Sequence, residues 1–185
     1  MFSRPLTETI CAVFTGIVLA AGGLIGFTAA TTEIRLQRTV TQIVLVTGRL
    51  RLFFTEHPMR PLTFKELAAA GILSKDDYDG GKTFHPFSKP QDPNGIVFSF
   101  SSGTDFTVTW RHLPKRACMH IATYPFGHAV SYDLMRMTMT SDGKSTVFVT
   151  KAGAKSEEQQ IVPLTYEQAH ASCGVLTDIG WTYRR

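Results

Sequence analysis

An unbroken run of 21 uncharged, mostly apolar residues, from Ile10 to Ala30, constrains this chain more than any other feature. A helix needs about 20 such residues to cross a bilayer. No proline follows before Pro58, so the sequence predicts one helix over residues 10–57, with a membrane-spanning half (10–30) and an amphipathic half (31–57). At about 1.5 Å per residue, this helix is roughly 72 Å long. It therefore extends well beyond a membrane and leads into a separate polar domain.

The amphipathic half carries an apolar stripe. Its members recur at spacings of four, three, seven and four residues, so they share one helical face. Two interpretations are open: the stripe covers the core of its own domain, or the same helix also packs against copies of itself. The stripe consists of Leu36, Val40, Ile43, Leu50 and Phe54.

Glycines in the membrane-spanning half offer small surfaces for contact with another helix. Gly22 and Gly26 form a G-x-x-x-G pair, a spacing that lets two membrane helices approach closely. A cleaved signal peptide is the alternative, with Arg4 as its basic start and residues 28–30 as its cleavage site. The apolar run is long for such a signal, which favours a retained anchor.

The rest of the chain, after an N-terminal flank (residues 1–9) and the helix, predicts one globular α+β head over residues 58–185. Two capping boxes, Thr63–Glu66 and Thr165–Gln168, each open a short helix. The polar stretch from Ser74 to Gly95 is predicted to be a solvated surface loop.

Alternating apolar residues between and after these helices predict strands. Residues 96–101 and 105–111 predict a β-hairpin, and Asp142-Gly143 predicts the turn of another. A last strand contains Ile179, Trp181 and Tyr183. The predicted fold is therefore a long N-terminal helix packed on an antiparallel β-sheet head.

The composition excludes several classes of function. The net charge of +4 is spread thinly, without a basic block or a nucleic-acid-binding signature, so nucleic acid is not an expected partner. The sequence contains no P-loop, G-x-S-x-G or G-x-G-x-x-G motif, so we expect neither an enzyme nor a cofactor.

Metal sites have little support. His112, His120 and His128 are evenly spaced, but they fall on a predicted strand end, a helix and a loop, so no common face joins them. The acidic run at residues 76–79 lacks the terminal glutamate of a calcium loop. We therefore expect no bound metal.

The cysteines and the charges that flank the apolar run favour opposite sides of the membrane for the head. Cys118 and Cys173 form a distant pair in the head, which favours one disulfide in an oxidising compartment, while Cys11 lies in the apolar run. Arg4 precedes the span and several arginines follow it, so the positive-inside rule favours a cytoplasmic head. The residue patterns alone leave this choice open.

Three stretches follow the long helix: an alanine-rich helix at residues 67–75, a strand, proline turn and cysteine helix at 106–118, and a second cysteine helix with a closing strand at 164–184. With the N-terminal membrane helix, this layout resembles the type IVb pilins, in particular the PilS-type pilins. The resemblance implies that Cys118 and Cys173 are bonded outside the cytoplasm. It covers nearly the whole chain and rests on the order and spacing of these stretches.

The resemblance also implies a function. The expected protein is a major or minor structural subunit of a type IV pilus or a related secretion or conjugation filament, with a part in cell adhesion and with N-terminal methylation. Its head would lie in the periplasm while the inner membrane holds its helix, before assembly into an extracellular filament. Its expected partners are itself, other pilin-like subunits, the inner membrane, prepilin peptidase and the assembly machinery.

Glu8 is the residue that best matches the family's N-terminal glutamate, which stands fifth in the mature chain. This match places leader cleavage after Ser3, where the family commonly has glycine. A carboxylate at the edge of lipid needs a partner, and a neighbouring subunit's N-terminal amine can supply one. The alternative is a Glu8 side chain that is solvated among the headgroups.

A second hypothesis is a single-pass, membrane-anchored periplasmic binding module that does not enter a filament. In this case, the stretch from Ser74 to Gly95 contacts a partner, the head binds that partner alone, and Glu8 has no role.

Overall fold

The computed structural model has an α+β fold. It describes side chains for residues 29–89, 94–101, 105–126, 133–149 and 163–184, and it describes residues 4–28 only as helical backbone. The chain divides into an N-terminal unit, Met1–Gln37, and a second unit, Arg38–Arg185, which we call the head unit. The helices are α1 (Arg4–Glu56), α2 (Phe64–Ala69), α3 (Lys115–Thr123) and α4 (Tyr166–Ser172), and the strands are β1 (Tyr78–Asp79), β2 (Lys82–Thr83), β3 (Ile96–Phe100), β4 (Asp105–Pro114), β5 (Leu134–Ser141), β6 (Lys144–Val149) and β7 (Leu176–Arg184).

The long N-terminal helix is confirmed. α1 runs to Glu56 and ends just before Pro58, as expected from the conformational restriction that proline places on the residue before it. The backbone N–H of His57 still donates to the carbonyl of Phe53 at 3.0 Å, and the two rings stack with centroids 4.2 Å apart.

The predicted membrane span, Ile10–Ala30, lies almost wholly outside the residues whose side chains are described. Among the residues whose side chains the structure describes, no helix combines the length and apolarity needed to cross a membrane. The membrane-spanning role of this segment stays a prediction.

Five antiparallel strands form the main sheet in the order β3-β4-β7-β5-β6. The predicted hairpin is confirmed, since β3 pairs with β4 up to Phe100 and Phe106. The predicted turn is also confirmed: Asp142 and Gly143 have φ angles of 51° and 74°, which are typical of the type I′ turn that joins β5 to β6. The C-terminal strand β7 lies at the centre of the sheet.

One face of the sheet packs against the part of α1 that belongs to the head unit. The ring of Phe54 lies 5.8 Å from that of Phe100 and 5.6 Å from that of Phe106, measured between centroids. On the same face, Trp110 and Trp181 meet edge to face at 5.1 Å. The prediction of a helix packed on an antiparallel sheet is therefore confirmed for the head unit.

The capping boxes form at both predicted places. Thr63 and Glu66 cap α2 reciprocally, and Thr165 and Gln168 cap α4 in the same way. These short helices therefore begin where their own sequences dictate.

The prediction that residues 74–95 form a solvated loop is wrong in part. The stretch contains the two-stranded β1–β2 sheet, and its Thr83 and His85 are buried. The Thr83 hydroxyl donates to the carbonyl of Ile96 at 2.5 Å and accepts from the Ile96 N–H at 3.1 Å. His85 Nε2 lies 2.7 Å from the carbonyl of Arg111. These polar groups can be buried because they form hydrogen bonds with the β3–β4 region.

Candidate assembly surface

The part of α1 in the head unit has two faces with opposite surroundings. On the face toward the sheet, Val40 is 8% exposed, while Ile43, Leu50 and Phe54 are at most 1% exposed. Leu36, in the N-terminal unit, is 2% exposed. Within the head unit the stripe therefore covers the protein's own core, which is one of the two interpretations above. A role for these five residues in packing against other copies stays a prediction.

The buried face also holds a polar hub that sequence reasoning missed. Gln42 is 8% exposed, and its side-chain amide donates to Asp77 Oδ1 at 2.5 Å and to the Phe84 carbonyl at 2.9 Å. Its Oε1 accepts from Trp110 Nε1 at 3.2 Å. One sequence signal could have indicated its burial. Gln42 lies four residues before Val46, an apolar residue beside the stripe, so the two share a helix face. Gln42 joins α1 to the sheet and to the stretch at residues 74–95.

The opposite face of the helix is a seam of apolar and small residues that faces outward. Leu45 and Leu52, seven residues apart on this face, are 46% and 64% exposed. The seam alternates spacings of four and three residues, the pattern by which one helix packs along another. It consists of Thr41, Leu45, Gly48, Leu52 and Thr55.

Gly48 lies at the middle of this seam. A Cβ atom built at this position meets no atom within 4 Å, so no described contact requires a glycine there. Glycine in a helix interior is less favourable than alanine by about 1 kcal/mol. Among the described residues, no contact accounts for this less favourable residue between the two exposed leucines.

Two arginines beside the seam, Arg49 and Arg51, contact other parts of the head unit. Arg49 Nη1 donates to the Gly71 carbonyl at 2.8 Å. Arg51 Nη2 lies 3.5 Å from Asp133 Oδ2, and its guanidinium carbon lies 5.9 Å from the centre of the Tyr183 ring. These bonds draw the long cationic side chains toward the head, which leaves the leucines on the outer surface.

The predicted cysteine pair is bonded. Cys118, on α3, and Cys173, at the C-terminal end of α4, have Cα atoms 5.9 Å apart and are 0% and 3% exposed. In the chain-entropy model, closing a loop of this length stabilises the folded state by about 4 kcal/mol. The bond holds together α3 and α4, two of the short helices of the head.

The other predicted site residues separate into two groups. Glu8, Gly22, Gly26 and Cys11 lie outside the residues whose side chains are described, so their assembly roles stay predictions. His128 also lies outside them, whereas His112 lies at an irregularity of β4 and His120 lies on α3. Among the described residues, no three His, Cys, Asp or Glu side chains are grouped closely enough to hold a metal.

Two pKa shifts reflect local structure in the head. Hydrogen bonds from Arg60 and from Thr63 lower the pKa of Glu66 to about 2. Burial raises the pKa of Tyr183, and the nearby Thr47 hydroxyl and Arg51 guanidinium offset only part of this effect. The first shift belongs to a helix cap and the second to the core, so neither marks a catalytic group.

The remaining evidence on family comes from comparison with known proteins. The pilin resemblance depends on the order of local patterns rather than on an extended motif. No family model matches this chain, and no curated protein matches it either.

Proposed function

We propose that this protein is a pilin-like structural subunit, major or minor, of a type IV pilus or a related filament. Its α1 packs against α1 of neighbouring subunits, and the sheet and short helices of its head unit stay on the outside of the helical bundle. The observation that supports this most is the exposed seam on α1, with Gly48 between Leu45 and Leu52.

The seam suits a second helix better than it suits solvent. Leucines at this exposure leave apolar surface in water, and each square ångström that a partner covers contributes about 25 cal/mol. A glycine between them lets the partner's backbone approach closely, as small residues do where helices cross. The four-and-three spacing makes this contact continuous along the helix.

The inner membrane is the proposed location of the subunit before assembly. The uncharged run from Ile10 to Ala30 is long enough to hold the chain in lipid. Glu8, at the head of that run, pairs with the N-terminal amine of a neighbouring subunit and sets the register between them. Prepilin peptidase cleaves the leader after Ser3 to create this amine.

Site-specific crosslinking tests this proposal. A photoreactive amino acid at Leu52 is expected to give self-adducts in sheared surface filaments from cells with the assembly machinery, because that side chain faces the neighbour. Mass analysis of the same fraction is expected to show a chain that begins at Arg4. The matched control is Val147 on β6, which is apolar and 53% exposed but lies outside α1.

Two results would contradict the proposal. One is a protein that is found only uncut in the membrane fraction, without adducts to itself or to other pilin-like subunits. The other is equal crosslinking from positions 52 and 147, because it would show contact without a preferred face rather than a defined helix contact.

A further inference from the structure

A groove of about 550 Å³ opens beside α3 in the head unit, and its described lining comes from α3 and α4. Its volume lies within the range of small-molecule binding sites, roughly 300–1,000 Å³. The described lining consists of Lys115, Arg116, Met119, His120 and Thr123 on α3, with Tyr166 on α4.

The two helices give the groove two different ends. The N–H of Leu164 donates to the carbonyl of Ala122 at 3.0 Å, so α4 begins beside the last turn of α3. The disulfide then joins the end of α4 to the first half of α3. Tyr166 therefore lies near the C-terminal end of α3, whereas Lys115 and Arg116 lie at its N-terminal end, about 10 Å away along the axis.

The N-terminal end of the groove is cationic. Lys115 and Arg116 are exposed, and neither has a carboxylate partner among the described residues. The first turn of α3 contains no acidic residue, and its N-cap, Pro114, makes no side-chain hydrogen bond. Two cations in a first helical turn repel the positive end of the helix dipole, so an anion bound there relieves this repulsion.

The other end of the groove is aromatic. Tyr166 is 68% exposed, and its described ring contact is to His170, with centroids 6.2 Å apart. Between the two ends, the half-buried side chains of Met119, His120 and Thr123 form a mostly apolar wall. An exposed tyrosine offers a flat surface for stacking and a hydroxyl that can donate a hydrogen bond.

We propose that this groove binds a small organic anion, a phosphate or carboxylate group joined to a flat ring. Arg116 and Lys115 hold the anionic group, the guanidinium through paired N–H donors and the ammonium as a point charge. The ring lies along the apolar wall against Tyr166. This proposal does not depend on filament assembly, because it uses only residues of α3 and α4.

Titration of the full chain in zwitterionic micelles, followed by NMR chemical shifts, tests the proposal with simple probes. Phenyl phosphate and benzoate represent the two sources of the anion, and inorganic phosphate lacks the ring. We expect saturable shifts of α3 and α4 signals with at least one ring-bearing anion, and binding at least tenfold weaker for inorganic phosphate. A Tyr166→Ala variant should weaken the binding of the ring-bearing probe at least threefold and leave the affinity for inorganic phosphate unchanged.

Two double variants distinguish binding in the groove from a general effect of the protein's positive charge. Lys115→Gln with Arg116→Gln should weaken the ring-bearing anion at least tenfold. Lys75→Gln with Lys144→Gln removes the same charge from exposed positions elsewhere and should leave affinity within twofold. Absence of saturable shifts, equal losses in both double variants, or inorganic phosphate binding as tightly as phenyl phosphate would overturn the proposal.

Discussion

Each face of α1 in the head unit departs in part from the usual surface helix, which is apolar inside and polar outside. The inner face buries polar side chains, Gln42 and Thr47, among the apolar stripe, and both are hydrogen-bonded. The outer face exposes Leu45 and Leu52. A helix that is apolar on two sides is either enclosed in a core or shared with a partner. Among the described residues, the sheet covers one side of this helix, so the exposed side is the surface that the proposed assembly would use.

The largest expected effect comes from loss of the disulfide that joins α3 to α4. Replacing Cys118 and Cys173 with serine should lower the free energy of unfolding by about 4 kcal/mol, because the unfolded chain gains freedom and the core receives two hydroxyls. Chemical denaturation of the full chain in micelles measures this. The reduced wild-type chain is the control, and it should lose a similar amount. Unchanged stability in both would show that the bond is not part of the folded head.

Truncation on the inner face should cost less than the disulfide but far more than truncation on the outer face. Ile43→Ala should lower the free energy of unfolding by about 3 kcal/mol, because it leaves a cavity under the sheet. Leu52→Ala, the matched outer change, should alter stability by less than about 0.5 kcal/mol. It should reduce self-crosslinking instead. If the two variants lose equal stability in the unassembled chain, the distinction between the faces is wrong.

The polar hub gives an intermediate effect. Gln42→Leu keeps the side chain's approximate size but leaves the Trp110 N–H and the Phe84 carbonyl without their partner. This should destabilise the head by about 2 kcal/mol. Hydrogen exchange should also rise in residues 74–89, which the amide ties to α1. Thr41→Ala, on the outer face, serves as the control, and an equal rise in exchange there would argue against the hub.

Gly48→Ala should raise the stability of the unassembled chain and weaken filament assembly. The unassembled chain should gain about 0.5–1 kcal/mol, because alanine favours the helix and its Cβ meets no atom. Filament yield or crosslinking from position 52 should fall, because the added methyl group keeps the neighbouring backbone away. Gly71→Ala is a poor stabiliser by comparison, since Gly71 has a φ of 69°. A gain in both stability and assembly at Gly48 would contradict the seam.

Local signals predicted much of the fold. Capping boxes, the Asp142-Gly143 turn and strict alternation each depend on neighbours in sequence, so they could be read directly. The surroundings of the two faces of α1 could not be predicted in this way, because periodicity shows that residues share a face but not what covers that face. Likewise, Gln42 and His85 are polar residues whose burial depends on partners dozens of residues away. The α3–α4 groove arises from the pairing of two distant helices and had no local signal.

The smallest expected effect lies at the entrance to α2, outside both faces of α1. Glu66 has an ordinary pKa near 4.5 that is lowered to about 2 in the folded head. Its contribution to stability is therefore present above about pH 4.5 and is lost as the pH falls toward 2. Hydrogen exchange of α2 amides should rise over this interval in the wild type. In Glu66→Gln the exchange should already be raised at pH 7 and should change less between pH 4.5 and 2. Because the Glu66 side chain lies at the surface, with 40% of its area exposed, the loss should stay local and leave exchange on the inner face of α1 unchanged. A matching rise in α1 would show that the cap, and not only the sheet, holds the buried face in place.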